Sequence, residues 1–469
     1  MKRKVFVFTI SFVFVFFAFF AGSCDDSATT EEVVIEITGK LPVRFIWHDG
    51  IANCPDCLEI YATVTTELGD YEYGPFPFVF TGFTLKDVLG GFNRVVTVWI
   101  TDASGAVIYR GVAEGVQVIA DQVNTTLDVE MFSRSWYEVD IGQVSADWSI
   151  EGVRTVGEGD GWMVGSNNTG TSGFVYRGIS HSWAIQSLAA VLSSNWTLNS
   201  IDEGSAWAVG EDIAGGTGII LRYDGAIWYD DVTEPAFTDP WRLFGVSFDS
   251  DGTGWAVGEK DTVASTDPVV LKYSAATWGT AAVPSGMCSL FDVFALGAGD
   301  SLMGGVDNAT GDGVLTVWDD STTSYVDYAA GLGMVNDWAV NDVYAISADD
   351  WWAAGVSNAV GGDTGLVVHY TTAGGAATEV PSGPTSPWSL NGIWTSAEGE
   401  AWAVGVDASG PVILHRDTLG NWTSGTVVDG VQNTWELYGV DFGTDGWGYA
   451  VGKNTATSHG LALKYPFPK

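Results

Sequence analysis

Basic residues are scarce in this sequence of 469 residues. Lys and Arg together number 19 against 58 Asp and Glu, which gives a formal net charge of -39 at pH 7. A chain this acidic repels the phosphates of nucleic acids and the surfaces of anionic lipids. We therefore expect no nucleic-acid partner.

The sequence also lacks the short motifs of several enzyme classes. It contains no H-E-x-x-H zinc motif, no G-x-S-x-G nucleophile elbow and no Walker phosphate loop. The segment from Asp249 to Gly252 has half of a calcium-loop pattern, but Lys260 stands where the bidentate Glu would be needed. We expect no catalytic residue of these classes and no metal or other cofactor, with calcium as the one ion that a motif fragment suggests.

Cysteine is rare, with four residues. Cys54 and Cys57 enclose Pro-Asp in a predicted loop, and three interpretations are open: a disulfide bond, a metal site with His48, or a redox motif similar to the C-P-x-C of glutaredoxins. We expect the disulfide, because no second Cys or His pair completes four metal ligands and no strand–helix context lowers the thiol pKa. Cys288 replaces a Trp of the other repeats and is expected to be a buried free thiol.

Long apolar runs are missing except at the N-terminus. Residues 5–21 are apolar, follow Lys2, Arg3 and Lys4, and precede small residues and Cys24. The segment resembles the lipobox of bacterial lipoproteins, although Ala21 stands where Leu is usual. The resemblance implies a signal peptide at 1–23, acylation of Cys24 and a polar tether at 24–31. An ordinary cleaved signal and an uncleaved anchor are the alternatives. We expect a protein of the cell envelope, periplasmic or on the cell surface.

What the chain has in abundance is a repeat of 45 to 50 residues, present seven times from Trp148 onward. Its sharpest element is a W-A-V-G box, whose copies begin at Trp162, Trp207, Trp255, Leu302, Trp352, Trp402 and Tyr449. The final Gly of the box is present in all seven copies. A period of this length is typical of the four-stranded blades of a β-propeller.

Each unit contains four strand-like segments bounded by Gly, Asp, Asn and Ser. The first has the pattern Trp-x-apolar-x-x-apolar, the box is the second, and the fourth opens with an aromatic residue. The third carries a recurrent basic residue, at Arg222, Lys272, His369, His415 and Lys464. A catalytic group would not recur in this way, so we expect these residues to be structural, at a polar edge or paired with an acid.

The ends of the repeat array predict how the ring closes. The seventh unit stops after its third strand, whereas Trp136 lies before Trp148 at the spacing that fourth-strand aromatics have from the next unit. We predict that residues 134–141 supply the missing strand and remove an open sheet edge. Residues 132–469 are thus predicted to be a seven-bladed β-propeller.

Residues 32–131 lack the repeat. They contain seven short alternating segments, at 33–37, 43–47, 58–64, 95–100, 107–109, 116–119 and 127–131. This pattern is typical of a β-sandwich and resembles the Ig-like modules of bacterial surface lipoproteins. The predicted fold is therefore all-β, with a small Ig-like β-sandwich preceding the propeller.

The repeats resemble three groups of propellers. The W-A-V-G box with the later Y-D-G-A-I-W segment ending at Trp228 is similar to photosystem II assembly factors, to Asp-box repeats of bacterial neuraminidases and to secreted bacterial WAVG-repeat lipoproteins. The full Asp box is not present. Sialidases hold the substrate carboxylate with three Arg, and most of the six Arg in this region stand at repeat positions: Arg134, Arg154, Arg177, Arg222, Arg242 and Arg416. This argues against sialidase-like catalysis.

We expect a monomeric, membrane-anchored, non-enzymatic platform that binds an envelope or extracellular protein or glycan. The alternative is an exported glycan-active hydrolase with paired carboxylates in the propeller channel. The connections between second and third strands, and between blades, vary most, so a partner is expected on that face. Phe237 and Trp351 are the candidate exposed anchors, with packing inside their blades as the alternative. The acidic turns of the opposite face are expected to reflect turn chemistry rather than a cation-binding surface.

Overall fold

The structure is a computed structural model. It describes residues 38–47 and 57–465, apart from gaps at 80, 104, 106, 121, 134, 143, 158–159, 168–171, 180–181, 189–194, 203–206, 232–234, 236, 264, 287, 335–336, 359–362, 380, 382–383, 385, 426, 428–431 and 445. The apolar run at 5–21, Cys24, Cys54 and the predicted strand 33–37 lie outside these residues. No helix in the described part is long and apolar enough to span a membrane.

Seven strands form the N-terminal region: β1 (Thr38–Trp47), β2 (Glu59–Thr66), β3 (Gly69–Pro77), β4 (Gly82–Leu89), β5 (Gly91–Thr101), β6 (Val107–Val118) and β7 (Leu127–Ser133). They are hydrogen-bonded in the order β3-β2-β5-β6-β7-β1-β4, with β1 and β7 parallel. Side chains from both halves of the sheet, such as Leu41, Ile60 and Val98, share one core. The region is all-β, but its strands follow one continuous order, whereas an Ig-like sandwich has two separate sheets.

The sequence pattern misses β3 and β4, which are the two edges of this sheet. An edge strand has one neighbour, and both strands keep many exposed side chains and no clean alternation. The segments 107–109 and 116–119, predicted as separate strands, belong to the single strand β6. Gly111 and Gly115 interrupt the apolar pattern between them.

After β8 (Tyr137–Glu138), four-stranded antiparallel sheets follow one another along the chain. Blades 1 to 4 contain β9 (Trp148–Gly157), β10 (Asp160–Asn167), β11 (Ser172–Ile179), β12 (Ser182–Ile185), β13 (Trp196–Asp202), β14 (Trp207–Asp212), β15 (Thr217–Tyr223), β16 (Trp228–Asp230), β17 (Trp241–Phe248), β18 (Gly254–Asp261), β19 (Thr266–Ser274), β20 (Thr277–Thr280), β21 (Cys288–Gly297), β22 (Asp300–Asp307), β23 (Gly313–Asp319) and β24 (Ser324–Asp327).

A short 3-10 helix at Ala329–Leu332 leads to the remaining blades. Blades 5 to 7 contain β25 (Trp338–Ser347), β26 (Asp350–Ser357), β27 (Thr364–Thr371), β28 (Gly375–Glu379), β29 (Trp388–Thr395), β30 (Ala401–Asp407), β31 (Gly410–Arg416), β32 (Trp422–Ser424), β33 (Trp435–Phe442), β34 (Gly448–Asn454) and β35 (His459–Tyr465). The seven-bladed β-propeller predicted from the repeat is confirmed.

The last blade is completed by the strand that precedes the first. β8 pairs with β35, where Glu138 faces Leu463 and Tyr137 faces Lys464. The backbone N–H of Val139 also donates to a carbonyl oxygen of β35, at 2.9 Å. The paired strand is only two residues long, shorter than the predicted 134–141, and the adjacent Trp136 supplies most of the packing. Trp136 is fully buried against the rings of Trp402, Phe442 and Tyr465.

The first strand of each blade, hereafter the inner strand, packs against its counterparts around the propeller axis. Every inner strand has a register shift opposite the box strand, after the first apolar residue of its pattern. Such a shift is a β-bulge, which places one extra residue on one strand and re-aims its side chain. The extra residue, hereafter the bulge residue, is Glu151, Asn199, Phe244, Phe291, Asn341, Asn391 or Tyr438.

The bulge explains the invariant box glycine. In Gly405, an added Cβ would collide with the carbonyl oxygen of Ser389 in the inner strand, and the same collision occurs at all seven box glycines. Only glycine lets the box strand approach the bulged strand this closely.

The recurrent basic residues of the third strand lie opposite the box aromatic in strand register. The Arg222 guanidinium lies 5.2 Å from the ring centre of Trp207, and the His369 ring stacks on Trp352 at 3.8 Å. Ion pairs with neighbouring acids are present as predicted, for example Lys272 with Asp320 at 2.5 Å. The stacking on the box aromatic was not foreseen. Such cation–π contacts add about 0.5–2 kcal/mol each.

The junction between the two regions contains another cation–π contact. The Lys464 ammonium lies 4.3 Å from the ring centre of Trp447 and 5.6 Å from that of Phe132, which belongs to β7. Burial lowers the pKa of Lys464 to about 8. This cation joins the last propeller strand to the last strand of the N-terminal region.

Replacing a box glycine should unfold its blade locally. We expect Gly405→Ala to lower the free energy of unfolding by about 1–3 kcal/mol or more, because the new methyl group must displace backbone. Gly279→Ala is the matched control, since nothing lies within 4 Å of a Cβ at that exposed site, and it should change stability by less than about 1 kcal/mol. Urea unfolding followed by tryptophan fluorescence measures both. Equal effects would contradict the bulge explanation.

Removing the closing tryptophan should weaken the whole ring. Trp136→Ala should cost about 3–5 kcal/mol, since the site is fully buried among three aromatic rings. Leu419→Ala, at a side chain that is 85% exposed, should stay within about 0.5 kcal/mol. If chemical denaturation shows Trp136→Ala to be as mild as Leu419→Ala, β8 does not close the propeller.

Candidate ligand-binding site

The inner strands enclose a cavity of about 310 Å³ at the propeller axis. Its lining consists of bulge residues and the residues that follow them, together with larger side chains such as Arg154 and Tyr344. The bulge is what turns both of these positions toward the axis, because a regular strand would direct alternate residues to opposite faces. The channel is therefore a mixed polar and aromatic site built from equivalent positions of different blades.

Three of the bulge residues are asparagines with the same role. The Nδ2 groups of Asn199, Asn341 and Asn391 each donate to a backbone carbonyl of the next inner strand, at 2.7 to 2.8 Å. These bonds join neighbouring blades and fix the orientation of each amide. The amide oxygen and the second N–H of each side chain are not used in these bonds.

Asp292 and Asp342 follow their bulge residues directly. At this position the other blades have Gly or Ser, namely Gly152, Ser200, Gly245, Gly392 and Gly439. Each aspartate accepts a backbone N–H from the next inner strand, Asp292 from Val343 at 3.1 Å and Asp342 from Ile393 at 2.6 Å. The two side chains are also hydrogen-bonded to each other.

The surroundings of the aspartate pair favour the protonated form of its carboxyl groups. Burial, the charge of Asp292 and the bond between the two carboxyl groups raise the pKa of Asp342 well above its usual range. Burial also raises the pKa of Asp292, although its bond to Asp342 and the charge of Arg154 oppose the shift. Two carboxyl groups in hydrogen-bond contact share a proton, as like charges at this distance do not both ionise readily.

Arg154 is the cation of the channel, and its charge is already matched. Its Nη1 lies 3.4 Å from Oδ1 of the buried Asp441, which also accepts the backbone N–H and the hydroxyl of Thr155. Burial opposes the charged form of Arg154, but Asp441, Asp292 and other nearby acids raise its pKa overall. Burial raises the pKa of Asp441 despite these partners. The pair joins the last blade to the first.

Glu151 is the acidic bulge residue of the first blade. The Ser149 hydroxyl donates to its carboxylate at 2.5 Å. Burial raises the pKa of Glu151, against the effects of that hydrogen bond and of the charge of Lys453.

A second cavity, of about 550 Å³, lies beside the β18–β19 hairpin and the connection that follows β20. Its lining includes Phe237, Lys260, Pro268 and Val283. The Lys260 ammonium lies 5.9 Å from the ring centre of Phe237, which packs on Trp241. The predicted long loop 259–268 is mostly strand, since β18 extends to Asp261 and β19 begins at Thr266.

The predicted anchors differ in exposure. Phe237 is partly buried and lines the second cavity. Trp351 is fully buried and stacks on Tyr370 at 4.7 Å, so its candidacy as an exposed anchor was wrong. Its place in the sequence, directly before the box Trp352, gave no sign that both rings would pack inside, on opposite faces of one strand.

Two of the four cysteines, Cys57 and Cys288, lie in the part of the chain that the structure describes. Cys57 takes part in a disulfide bond, while Cys54 lies outside the described residues, so the pairing of the two stays a prediction. Acylation of Cys24 likewise stays a prediction. Cys288 is a buried free thiol, as expected, and burial raises its pKa to about 12.

The acidic side chains between first and second strands accept hydrogen bonds from nearby backbone N–H groups. Oδ1 of Asp249 accepts the backbone N–H groups of Asp251 and Thr253, which is the local hydrogen bonding typical of Asp in turns. Asp202 is buried and accepts the N–H of Phe248 in the next blade. In the part of the chain that the structure describes, no group of three or more His, Cys, Asp or Glu residues could hold a metal ion.

Sequence reasoning missed the channel residues, although a signal for them was present. The pattern Trp-x-apolar-x-x-apolar has one residue more than strict alternation allows, which is the mark of a bulge. Asp292 and Asp342 also depart from the Gly or Ser of the other blades.

No family model and no curated protein matches the chain. Among solved structures, YCF48 from Cyanidioschyzon merolae is similar with 14% identity and a TM-score of 0.47, over 71% of this chain and 98% of that one. The Hadza microbial sialidase Hz136 matches with 10% identity and a TM-score of 0.39, over 84% and 94%. The Dos1 propeller matches with 13% identity and a TM-score of 0.44, over 71% and 95%. These likenesses concern the fold alone.

The aspartate pair should make stability depend on pH. Some carboxyl groups have a higher pKa in the folded chain than in the unfolded chain. Such a group lowers the free energy of unfolding as the pH rises from its pKa in the unfolded chain to its pKa in the folded chain. The stability of the native chain should therefore fall as the pH rises above about 4. Asp342→Asn keeps an acceptor for the Ile393 N–H and removes one ionisable group, so its stability should fall less.

Chemical denaturation between pH 4 and pH 8 measures this difference. The matched control is Asp251→Asn, which removes the same charge from an exposed turn and should leave the pH profile of the native chain unchanged. Parallel profiles for the native chain and Asp342→Asn would contradict the raised pKa.

Proposed function

We propose that this chain is an exported lipoprotein of the cell envelope that acts as a non-enzymatic platform for binding or assembly. Its partner is an envelope or extracellular protein or glycan, and a lipid on Cys24 holds it, as a monomer, to the membrane on the periplasmic or cell-surface side. The propeller fold is compatible with this role and with many others, so the proposal rests on what the acidic residues of the channel do.

The observation that carries the proposal is that the channel acids are used to join blades. Asp292, Asp342 and Asp441 each accept backbone N–H groups from the neighbouring blade. Glycoside hydrolases need two carboxyl groups about 5–5.5 Å apart for retention or about 6.5–9.5 Å apart for inversion. Asp292 and Asp342 are in hydrogen-bond contact, which leaves no room for a sugar between them.

The docking surface that we propose lies around the second cavity. Phe237 and Lys260 line it together, and Val263 and Val283 beside it are exposed. This surface offers an aromatic ring, aliphatic side chains and a cation, in a protein whose surface is otherwise dominated by acids. Such a mixture of apolar centre and polar rim is typical of binding surfaces.

Binding to envelope extracts and to a glycan array tests this proposal. We expect the double variant Phe237→Ala/Lys260→Glu to lose about tenfold or more in affinity for its protein or glycan partner. The matched control is Asp251→Lys/Asp349→Lys on the opposite face, where both side chains are exposed, and it should bind normally. Loss of binding only in the control would instead place the partner on the acidic turns.

Two further measurements separate the alternatives. Mass spectrometry of the exported protein should find acyl chains on Cys24. The second measurement is the release of reducing sugar from envelope glycans. If the native chain releases sugar and a correctly folded Asp342→Asn variant does not, the protein is a hydrolase instead.

A further inference from the structure

Amide and carboxyl oxygens give the channel several hydrogen-bond acceptors. Asn199, Asn341 and Asn391 each use one amide N–H for a backbone carbonyl, and their amide oxygens can accept a bond from a ligand. Among the described lining residues the donor of Tyr438 is also used, because its hydroxyl donates to Glu436 at 2.7 Å. A ligand that carries N–H or O–H donors can bond to these oxygens.

The charge of the lining favours a cation. Glu151 and the Asp292–Asp342 pair contribute carboxyl groups, whereas the single lining cation, Arg154, is ion-paired with Asp441 in the channel wall. A positive ligand would therefore meet more carboxyl groups than cations in a site partly withdrawn from water, where attraction between opposite charges is stronger than at the surface.

Aromatic side chains provide the apolar part of the site. The bulge residues Phe244 and Phe291 lie edge to face, with ring centres 5.8 Å apart, and both line the cavity with Tyr344 and Tyr438. Aromatic rings accept both aliphatic chains and cations on their faces. A cavity of about 310 Å³ lies at the small end of ligand sites.

We propose that the channel binds the primary ammonium group of a short aliphatic amine. The ammonium donates to the Asn amide oxygens and to the Asp292–Asp342 pair, and the aliphatic chain lies on Phe244 and Phe291. A primary ammonium fits better than a quaternary one because only the primary ammonium can donate hydrogen bonds to the amide and carboxyl oxygens. A divalent metal fits less well, because no group of three or more His, Cys, Asp or Glu in the described chain could hold one. The site is separate from the docking surface around Phe237 and does not depend on it.

Isothermal titration calorimetry of the full-length protein in detergent tests the site, with n-butylamine and 1,4-diaminobutane as probes. The comparison ligands are 1-butanol, tetramethylammonium chloride and calcium chloride. We expect saturable binding of the two primary amines in the millimolar range or tighter, and at least about tenfold weaker binding of every comparison ligand.

Variants assign the site to the channel. Asp342→Asn and Phe291→Ala should each weaken amine binding by about tenfold, while Asp251→Asn, with the same charge change as Asp342→Asn, should bind as the native chain does. A lysine side chain of a protein partner could supply the same ammonium group. Nα-acetyl-lysine methylamide carries that side chain, so it should bind if the channel admits a lysine and should not bind if only small free amines enter. Absence of saturable amine binding, equal affinity for tetramethylammonium or calcium, or full affinity in Asp342→Asn would each overturn the proposal.

Discussion

The bulge in each inner strand, with the glycine opposite it, is the constraint on which the rest of the propeller depends. It brings the box strand against the carbonyl of the inner strand, where a Cβ has no room. The same irregularity turns two consecutive residues toward the axis, so that the channel receives side chains that a regular strand would have directed into the space between blades. Packing between blades and the chemistry of the channel are thus set by one local distortion, repeated seven times.

Interactions between blades follow from this geometry. Several polar side chains of the inner strands form hydrogen bonds with the backbone of the next blade. They are the asparagines at the bulge, the aspartates after it, and Asp202 and Asp441 further along their strands. A buried polar group costs free energy unless it is paired, and for these residues the partner lies in the neighbouring blade. The acidic composition therefore has a structural component inside the ring, besides the turn chemistry at its surface.

Closure is made mainly by aromatic packing rather than by a long strand. β8 contributes two paired residues, whereas Trp136 is surrounded by three rings. Aromatic burial of this kind contributes more free energy than two ladder hydrogen bonds. The cation of Lys464, held between Trp447 and Phe132, then ties the closed ring to the N-terminal region.

The sequence by itself determined the number of blades, the strand types within them, the role of Trp136 and the buried state of Cys288, because these follow from period, alternation and spacing. The edge strands β3 and β4 and the burial of Trp351 could not be read from it, since edge exposure and inter-blade packing depend on neighbours distant in the chain. The meeting of Asp292 with Asp342 was likewise decided by tertiary structure alone. The two residues are one repeat apart, and only the closing of adjacent bulged strands around a common axis brings their carboxyl groups into contact. Burial at that axis raises the pKa of both carboxyl groups, and the charge of Asp292 raises that of Asp342 further.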